Sequence, residues 1–119
     1  MPELFRKRPV VIEAMRMPDR YPAGMDESSD NYERNHAAHA LLVWVEENTL
    51  GSFEPMAVIE GRTSCPASGV SIDPRDGRLM IATLEGPHWV DPGDWVIRGV
   101  AGEFYPCKPA IFQRTYEPA

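Results

Sequence analysis

The chain is 119 residues long, and its 43% hydrophobic and 25% charged residues indicate one globular domain over residues 1–119 rather than a disordered chain. The formal net charge of −6 argues against a general nucleic-acid binder, since contacts with phosphates need clustered Lys and Arg side chains. The twelve prolines are about twice the usual share and favour short strands and fixed turns, which indicates an α+β or mainly β fold.

The sequence shows no membrane-spanning or secretory pattern. No apolar run approaches the ~20 residues that span a bilayer, and the first residues lack the apolar centre of a signal peptide. We therefore expect a cytosolic protein. In the cytosol Cys65 and Cys107 are expected to be free thiols, and neither has a His or Cys neighbour at metal-ligand spacing.

The first predicted element is a strand over residues 9–17, where apolar residues alternate weakly. We expect one of its faces to be fully buried. The three consecutive basic residues before it, 6–8, are typical of a solvated arm, with a local basic patch as the alternative. Residues 18–31 contain two prolines, a glycine and four acids, and they predict a loop.

A single long helix is predicted over residues 30–48. Asp30 can serve as its N-cap, with Glu33 in the capping-box position. Gly51 can adopt the left-handed conformation that ends such a helix. The stripe along its apolar face consists of Ala37, Leu41, Trp44, Val45 and Asn48.

The second half of the chain predicts short strands separated by Pro and Gly turns. The clearest turns are residues 73–77, Asp-Pro-Arg-Asp-Gly, which should pair the strands on either side, and residues 91–94, Asp-Pro-Gly-Asp. Pro109 suits the first turn of a closing helix over residues 110–115. The predicted strands are residues 56–60, 70–72, 79–84, 88–90, 95–97 and 103–105, the last of them ended by Pro106.

These elements predict an α+β domain. Its antiparallel, strongly curved sheet is built chiefly from residues 55–106 plus the N-terminal strand, with the helix over residues 30–48 packed on one side. A small open barrel is an equally acceptable description. Because a meander of short strands leaves open edges, we also expect a homo-oligomer.

Two stretches near the ends of the chain carry distinctive motifs. Residues 6–14 read RKRPVVIEA, and residues 92–117 read PGDWVIRGVAGEFYPCKPAIFQRTYE. Both stretches resemble a widespread family of small proteins that tailed bacteriophages and prophages encode. The resemblance covers about a third of the chain and implies a phage source. Ala101 and Ala110 stand where that family often has a charged residue, so neither position is given a charge-dependent role.

Two groups of residues have some of the features of a metal or catalytic site. His36 and His39 are three residues apart on the predicted helix and so share a face, but no third ligand has a matching spacing, and an exposed pair is the alternative. Cys107 lies beside Lys108 and the closing helix, which are the surroundings of an activated thiolate. The alternative is a small buried hydrophobe between two prolines. We assign no catalytic residue, cofactor or metal.

Aromatic and basic residues of the last third are the candidate ligand-binding residues. Planar rings beside Arg or Lys suit stacking on a base and pairing with a phosphate. Strand alternation places Arg98 on the face opposite Trp95 and Ile97. The alternative is that the aromatic residues form the core and that Arg98 is solvated or paired with Glu103. The candidate residues are His88, Trp89, Trp95, Arg98, Tyr105 and Lys108.

Three hypotheses of function follow. The sequence has no Gly-rich phosphate loop, nucleophile elbow or paired-carboxylate motif, which favours a binding module over an enzyme. The first hypothesis is a non-enzymatic phage accessory protein that sequesters a small anionic, nucleotide-derived host signal in the host cytoplasm as a counter-defence. The second is a binder of a host protein. The third is a small hydrolase or transferase that uses Cys107 or the two histidines.

Overall fold

The computed structural model describes residues 1–19 and 29–119, and for residues 29–35 it describes the backbone only. The strands and helices in these residues come mostly from the second half of the chain. In chain order the elements are β1 (Glu13–Arg16), α1 (Ser29–Glu47), α2 (Pro55–Ile59), β2 (Gly69–Ile72), β3 (Leu79–Thr83), β4 (Gly86–Val90), β5 (Trp95–Arg98), β6 (Phe104–Cys107) and α3 (Pro109–Thr115).

The strands form two antiparallel sheets of three strands each. We call β1-β5-β6 the terminal sheet and β2-β3-β4 the central sheet, in the order in which the strands are hydrogen-bonded. The predicted α+β class is confirmed. The division into two sheets is a finding of the structure, and the strands of residues 1–19 and 29–119 do not close into a barrel.

The hydrophobic core lies between the two sheets and helix α1. Val96 and Phe104 reach it from the terminal sheet, and Met17 follows directly after β1. Removing a large aliphatic side chain from water stabilises a fold by about 1.5–3 kcal/mol, so this cluster accounts for much of the driving force. The buried core residues are Met17, Leu41, Val45, Val70, Leu79, Ile81, Val90, Val96 and Phe104.

Helix α1 confirms the predicted helix to within one residue at each end. Leu41 and Val45, four residues apart, are completely buried, as the predicted apolar face requires, but Ala37 of that predicted face is exposed. Trp44 meets Phe104 edge to face with ring centroids 5.0 Å apart, which joins α1 to the terminal sheet. Gly51 has the expected positive φ of 96°. The side chains of the capping residues Asp30 and Glu33, and residues 20–28 of the predicted loop, lie outside what the structure describes.

The turn at residues 73–77 confirms the predicted hairpin between β2 and β3. Val70 lies opposite Ile81, and Gly77 takes a φ of +79° that only glycine adopts without strain. The carboxylate of Asp73, which is completely buried, accepts hydrogen bonds from the backbone N–H and the guanidinium of Arg75. The turn is therefore held by its own side chains.

Residues 56–60 were expected to form a strand, and the structure shows that this was wrong. Residues 56–59 belong to the short helix α2, which begins at Pro55, and Glu60 is its C-cap. The carboxylate of Glu54 accepts a hydrogen bond from the backbone N–H of Met56 at 3.2 Å, and proline at the first helical position needs no donor. An apolar run of five residues has no period that separates strand from helix, so the cap decides.

The N-terminal strand is shorter and less buried than expected. Only Glu13–Arg16 pairs with β5, and neither face is fully buried: Ala14 and Met15 are half-buried. The exposed fraction of Val11 is 80%. Because β1 is the edge of the terminal sheet and pairs on one side only, its alternation does not demand a buried face.

Pro106 does not end the last strand, contrary to the prediction. It lies inside β6, opposite Val96, and the strand continues to Cys107. Strand β6 is the other edge of the terminal sheet. In an edge strand, a proline removes no hydrogen bond between strands if the missing N–H would point away from the neighbouring strand. Pro109 is at the first turn of α3, as predicted.

Candidate ligand-binding site

A cleft of about 690 Å³ lies where the two sheets meet, because β6 of the terminal sheet packs beside β3 and β4 of the central sheet. Four parts of the chain line it: the end of α1, the segment before β2, the β3–β4 hairpin, and the β5–β6 turn with β6. The lining residues are Asn48, Thr49, Ala67, Ser68, Ala82, Thr83, Leu84, Glu85, His88, Ala101, Gly102, Glu103, Phe104, Tyr105 and Pro106.

Several small polar side chains of the cleft are already used to shape its rim. Thr83 Oγ1 donates to the carbonyl oxygen of Gly86 at 2.8 Å, and Thr49 Oγ1 donates to the carbonyl oxygen of Val45 at 2.8 Å. Ser68 Oγ accepts the backbone N–H of Leu50 at 3.1 Å. These groups fix backbone turns and are not free to select a ligand.

Other polar groups remain available to a ligand. Asn48 donates its Nδ2 to the carbonyl oxygen of Trp44 at 2.8 Å, which leaves its Oδ1 as an acceptor. Within the described residues the half-buried imidazole of His88 makes no hydrogen bond or ion pair. The charged groups of the lining are the carboxylates of Glu85 and Glu103, and none of the lining residues is Lys or Arg. The cleft therefore suits neutral or cationic groups better than a phosphate.

Tyr105 closes the cleft on the side of β6. Its hydroxyl lies 3.5 Å from the hydroxyl of Tyr116, close enough for a hydrogen bond in which either group donates. Burial, followed by this contact with Tyr116, raises the pKa of the Tyr105 phenol well above its ordinary value. Tyr105 is therefore protonated and uncharged at neutral pH.

Of the six candidate residues, the structure brings two to the cleft, His88 and Tyr105. Arg98 lies elsewhere, with its NH1 atom 3.6 Å from Glu13 Oε1 and its guanidinium 5.7 Å from the ring of Phe104. The alternative partner Glu103 instead places its carboxylate against Gly99, where a Cβ atom would overlap it. The charge of Arg98 is thus compensated by Glu13.

Lys108 is also engaged within the protein. Its Nζ atom donates to Asp91 at 2.7 Å and to both carboxylate oxygens of Asp94 at 3.2 Å. The hydrogen bond with Asp91 is the main cause that raises the pKa of Lys108. Two carboxylates against one ammonium leave no net positive charge at this point for an anionic ligand.

The two candidate tryptophans are covered by other side chains. Trp95 stacks on Phe112, with ring centroids 4.2 Å apart and planes 7° apart. The guanidinium of Arg78 lies 4.2 Å from the ring centroid of Trp89. One face of each indole is therefore already occupied, and neither ring lines the cleft.

No local pattern in the sequence marks the remaining lining residues. Asn48, Ser68 and Glu103 come from three separate segments, and only the packing of β6 beside the central sheet brings them together. The sequence does indicate chain reversals around Gly86 and Gly102. Nothing in their local pattern predicts that two such ends meet.

The structure offers little support for a nucleophilic Cys107. Its Sγ atom donates weakly to the carbonyl oxygen of Lys108 at 3.7 Å, and burial and then the charge of Asp94 raise the pKa of the thiol. A raised pKa is the opposite of what thiolate activation needs. His39 is exposed on α1. The described residues contain no group of three His, Cys, Asp or Glu side chains that could hold a metal ion.

Comparisons with protein-family models, curated proteins and solved structures gave no match. Function is therefore inferred from the residues of the cleft and their surroundings. In the part of the chain that the structure describes, no helix is both long enough and apolar enough to cross a membrane.

Proposed function

We propose that this protein is a non-catalytic binding protein whose cleft takes the uncharged part of a small, nucleotide-derived ligand. The observation that carries the proposal is the cleft at the junction of the two sheets, since its volume of about 690 Å³ is in the range of small-molecule sites, ~300–1,000 Å³. Apolar side chains such as Leu84 and Phe104 line it together with a few polar groups, which is the usual composition of such sites.

A base and its sugar suit the groups of the cleft. The rings of His88 and Tyr105 are half-buried and line the cleft, and planar side chains stack on bases of any sequence. The carboxylates of Glu85 and Glu103 are acceptors for amino groups and ribose hydroxyls. The same carboxylates repel a phosphate, so the phosphate of a nucleotide-derived ligand would lie outside the cleft.

The proposed biological role is sequestration. The resemblance of residues 6–14 and 92–117 to phage proteins supports a phage source, and we propose the host cytoplasm as the place of action. A protein that binds a ligand without catalysing its reaction acts by lowering the free concentration of that ligand. For a phage this is a counter-defence when the ligand is a host immune signal.

A binder of a host protein is the second candidate function. The exposed fractions of Leu4, Phe5 and Val11 are 99%, 87% and 80%, so the arm before β1 presents large apolar side chains to solvent. Exposed apolar patches mark protein contacts more often than scattered single residues do. These exposed side chains favour a host protein that binds to the arm and not to the cleft.

We also propose that the protein is a homo-oligomer. The outer edge of β1 has no hydrogen-bonded neighbour among the described strands, and open edges are often covered by a second copy. Analytical ultracentrifugation at micromolar concentration measures the mass. A strictly monomeric species would remove this part of the proposal.

A thermal-shift screen tests the proposed ligand class. The panel contains nucleosides, mono-, di- and cyclic nucleotides, and ADP-ribose derivatives. A ligand at a hundred times its dissociation constant should stabilise the fold by about 2.7 kcal/mol, which raises the melting temperature by several degrees. If no compound shifts the melting temperature, the proposal fails, and capture of a host protein becomes the next experiment.

Matched variants then test whether a compound found in the screen binds in the cleft. Ala101 lines the cleft and is exposed, while Ala110 is exposed on α3 and does not line it. Ala101→Trp should fill part of the cleft and weaken binding about tenfold or more, and Ala110→Trp should leave it within about twofold. Isothermal titration calorimetry measures both. Equal affinities of the two variants would show that the ligand binds elsewhere.

A further inference from the structure

A second cavity of about 280 Å³ lies between the N-terminal arm and the end of the chain. Its chemistry differs from that of the cleft because two cations line it, Lys7 and Arg8, against one carboxylate, that of Glu103. The rings of Tyr105 and Tyr116 form part of its wall. This cavity therefore has a net positive lining, which the cleft lacks.

The described part of the protein does not neutralise the two cations. Among the described residues, neither Lys7 nor Arg8 has a carboxylate within 4.0 Å, in contrast to Arg98 with Glu13 and to Lys108 with its two aspartates. Lys7 Nζ lies 5.4 Å from the centroid of the Tyr116 ring, a cation–π distance that holds the ammonium near the cavity. Both charges are free to meet an anion.

The two tyrosines add a hydrogen-bond donor. Their hydroxyl oxygens are 3.5 Å apart, and in such a pair one hydroxyl donates to the other. The second hydroxyl then has its proton free for an outside acceptor. A hydroxyl and two cations around one small space are the groups that bind a phosphate oxygen most strongly.

The carboxylate of Glu103 lies at the part of the cavity wall that Gly99 forms. It lies against Gly99, and a Cβ atom at position 99 would overlap it. The missing side chain of Gly99 thus gives the carboxylate a place beside the backbone of the β5–β6 turn. Lys7 and Arg8 outnumber this one carboxylate, so the lining of the cavity keeps a net positive charge for an anion.

The second cavity adjoins the cleft, since Glu103 and Tyr105 line both. We propose that the second cavity binds the phosphate group of the ligand, through Lys7, Arg8 and the hydroxyls of Tyr105 and Tyr116, while the base and sugar occupy the cleft. This inference rests on the proposed function, and it assigns the ligand to the class of nucleoside phosphates. Tyr105 is the wall between the two parts of the site.

Inorganic phosphate is the probe for the second cavity, followed by two-dimensional NMR of the wild-type protein. We expect saturable shifts of the backbone amides of Gly99, Val100 and Glu103. The double variant Lys7→Gln with Arg8→Gln should weaken phosphate binding about tenfold or more, since it removes two charge-assisted contacts. Tyr116→Phe keeps the ring and should weaken it by about threefold to tenfold.

The matched control removes the same charge at another place. Arg6 and Arg114 have no carboxylate partner among the described residues and do not line the cavity. Arg6→Gln with Arg114→Gln should change phosphate affinity by less than about twofold at 150 mM salt, because neither side chain lines the cavity and salt screens exposed charges that do not contact the anion. An equal loss in both double variants would overturn the inference, because general attraction would then explain the binding. Phosphate that shifts no amide of the cavity would overturn it as well.

A nucleoside and its 5′-phosphate separate this inference from the proposed function. Adenosine lacks the anionic group and tests the cleft through Ala101→Trp, whereas AMP tests both cavities. AMP should bind more tightly than adenosine in the wild type, and the two should bind alike in the Lys7→Gln, Arg8→Gln variant. An equal affinity of AMP and adenosine for the wild type overturns the inference while the cleft proposal stands. Binding of phosphate with no binding of adenosine would sink the cleft proposal and keep the anion site.

Discussion

The ammonium group of Lys108 lies 3.2 Å from both carboxylate oxygens of Asp94, a side chain that is only 3% exposed. The same carboxylate accepts the backbone N–H of Asp91 at 2.9 Å. The pair therefore locks the turn at residues 91–94 to the end of β6. A lysine that the motif offers as a ligand contact is used here to neutralise a buried acid.

Lys108→Met should destabilise the protein by about 2 kcal/mol. The change keeps the aliphatic stem but leaves the buried Asp94 without its counter-ion. Breaking a fully buried pair costs about 3–5 kcal/mol, and the half-exposed Lys108 lets water replace part of the loss. Urea unfolding measures the difference. Arg62→Met is the control, because its pair with Glu60 is exposed on both sides and should cost under about 1 kcal/mol. Equal costs in the two variants would contradict the role of Asp94.

Arg98→Gln distinguishes two accounts of this arginine. In the structure it pairs with the exposed Glu13 and lines neither cavity, so we expect a change of under about 1 kcal/mol in the free energy of unfolding. Phosphate affinity should stay within about twofold of the wild type. If Arg98 contacts the anion directly, as its place in the motif suggested, affinity should fall by about 1.5–3 kcal/mol instead. Isothermal titration calorimetry with inorganic phosphate decides between them.

Gly69→Ala should destabilise the protein by about 2–4 kcal/mol. Gly69 has a φ of +136°, and a Cβ atom there would lie 2.5 Å from the carbonyl oxygen of Gly51. Gly61 also has a positive φ, of +73°, but nothing lies within 4 Å of its Cβ position. Gly61→Ala should therefore cost only about 1 kcal/mol of backbone strain. Thermal unfolding compares the two, and similar costs would mean that the close approach to Gly51 is relaxed without penalty.

The stability of the protein should fall below about pH 4 partly through Asp73. The hydrogen-bonded guanidinium of Arg75 lowers the pKa of the Asp73 carboxyl below its ordinary value of about 3.9. A lowered pKa favours the charged form in the folded state. Its contribution is complete above the ordinary pKa and is lost as the pH falls toward the lowered one.

The Arg75→Met variant isolates this effect. Urea unfolding of the variant and the wild type between about pH 7 and pH 3 should show that the variant loses less of its stability below about pH 4. Arg62→Met provides the control for loss of one exposed arginine. Parallel curves of Arg75→Met and wild type would show that the pair does not stabilise the carboxylate.

Much of the fold could be predicted from the sequence because Pro and Gly fix local dihedral angles. The turn at residues 73–77 and the start of α3 at Pro109 depend on a few adjacent residues, and both are where they were expected. Helix α1 was also predictable, since its apolar residues recur at helical spacing over about three turns, residues 37–48. The error at α2 has the opposite origin: five apolar residues are too few to show a period.

The candidate site was much less predictable. Arg98 meets Glu13 because β1 pairs with β5 on the side opposite β6, and β1 is far away in the sequence. The partners of Lys108 are Asp91 and Asp94 of the turn at residues 91–94. In the sequence these two acids indicate only a turn. The sequence predicts a solvated arm at Lys7 and Arg8, the cations now proposed to bind an anion. Nothing in the local pattern shows that Tyr116 lies beside Lys7.

The pairing of Glu13 with Arg98 in the terminal sheet has a consequence for the order of folding. The central sheet consists of two successive hairpins and can form from neighbouring residues, whereas β1 must wait until β5 has been synthesised and its loop closed. We therefore expect the central sheet to form early and the terminal sheet to complete late. The cleft exists only after β6 has docked on β3 and β4, so we expect it to form when the β5–β6 hairpin meets the central sheet, a step that does not require β1.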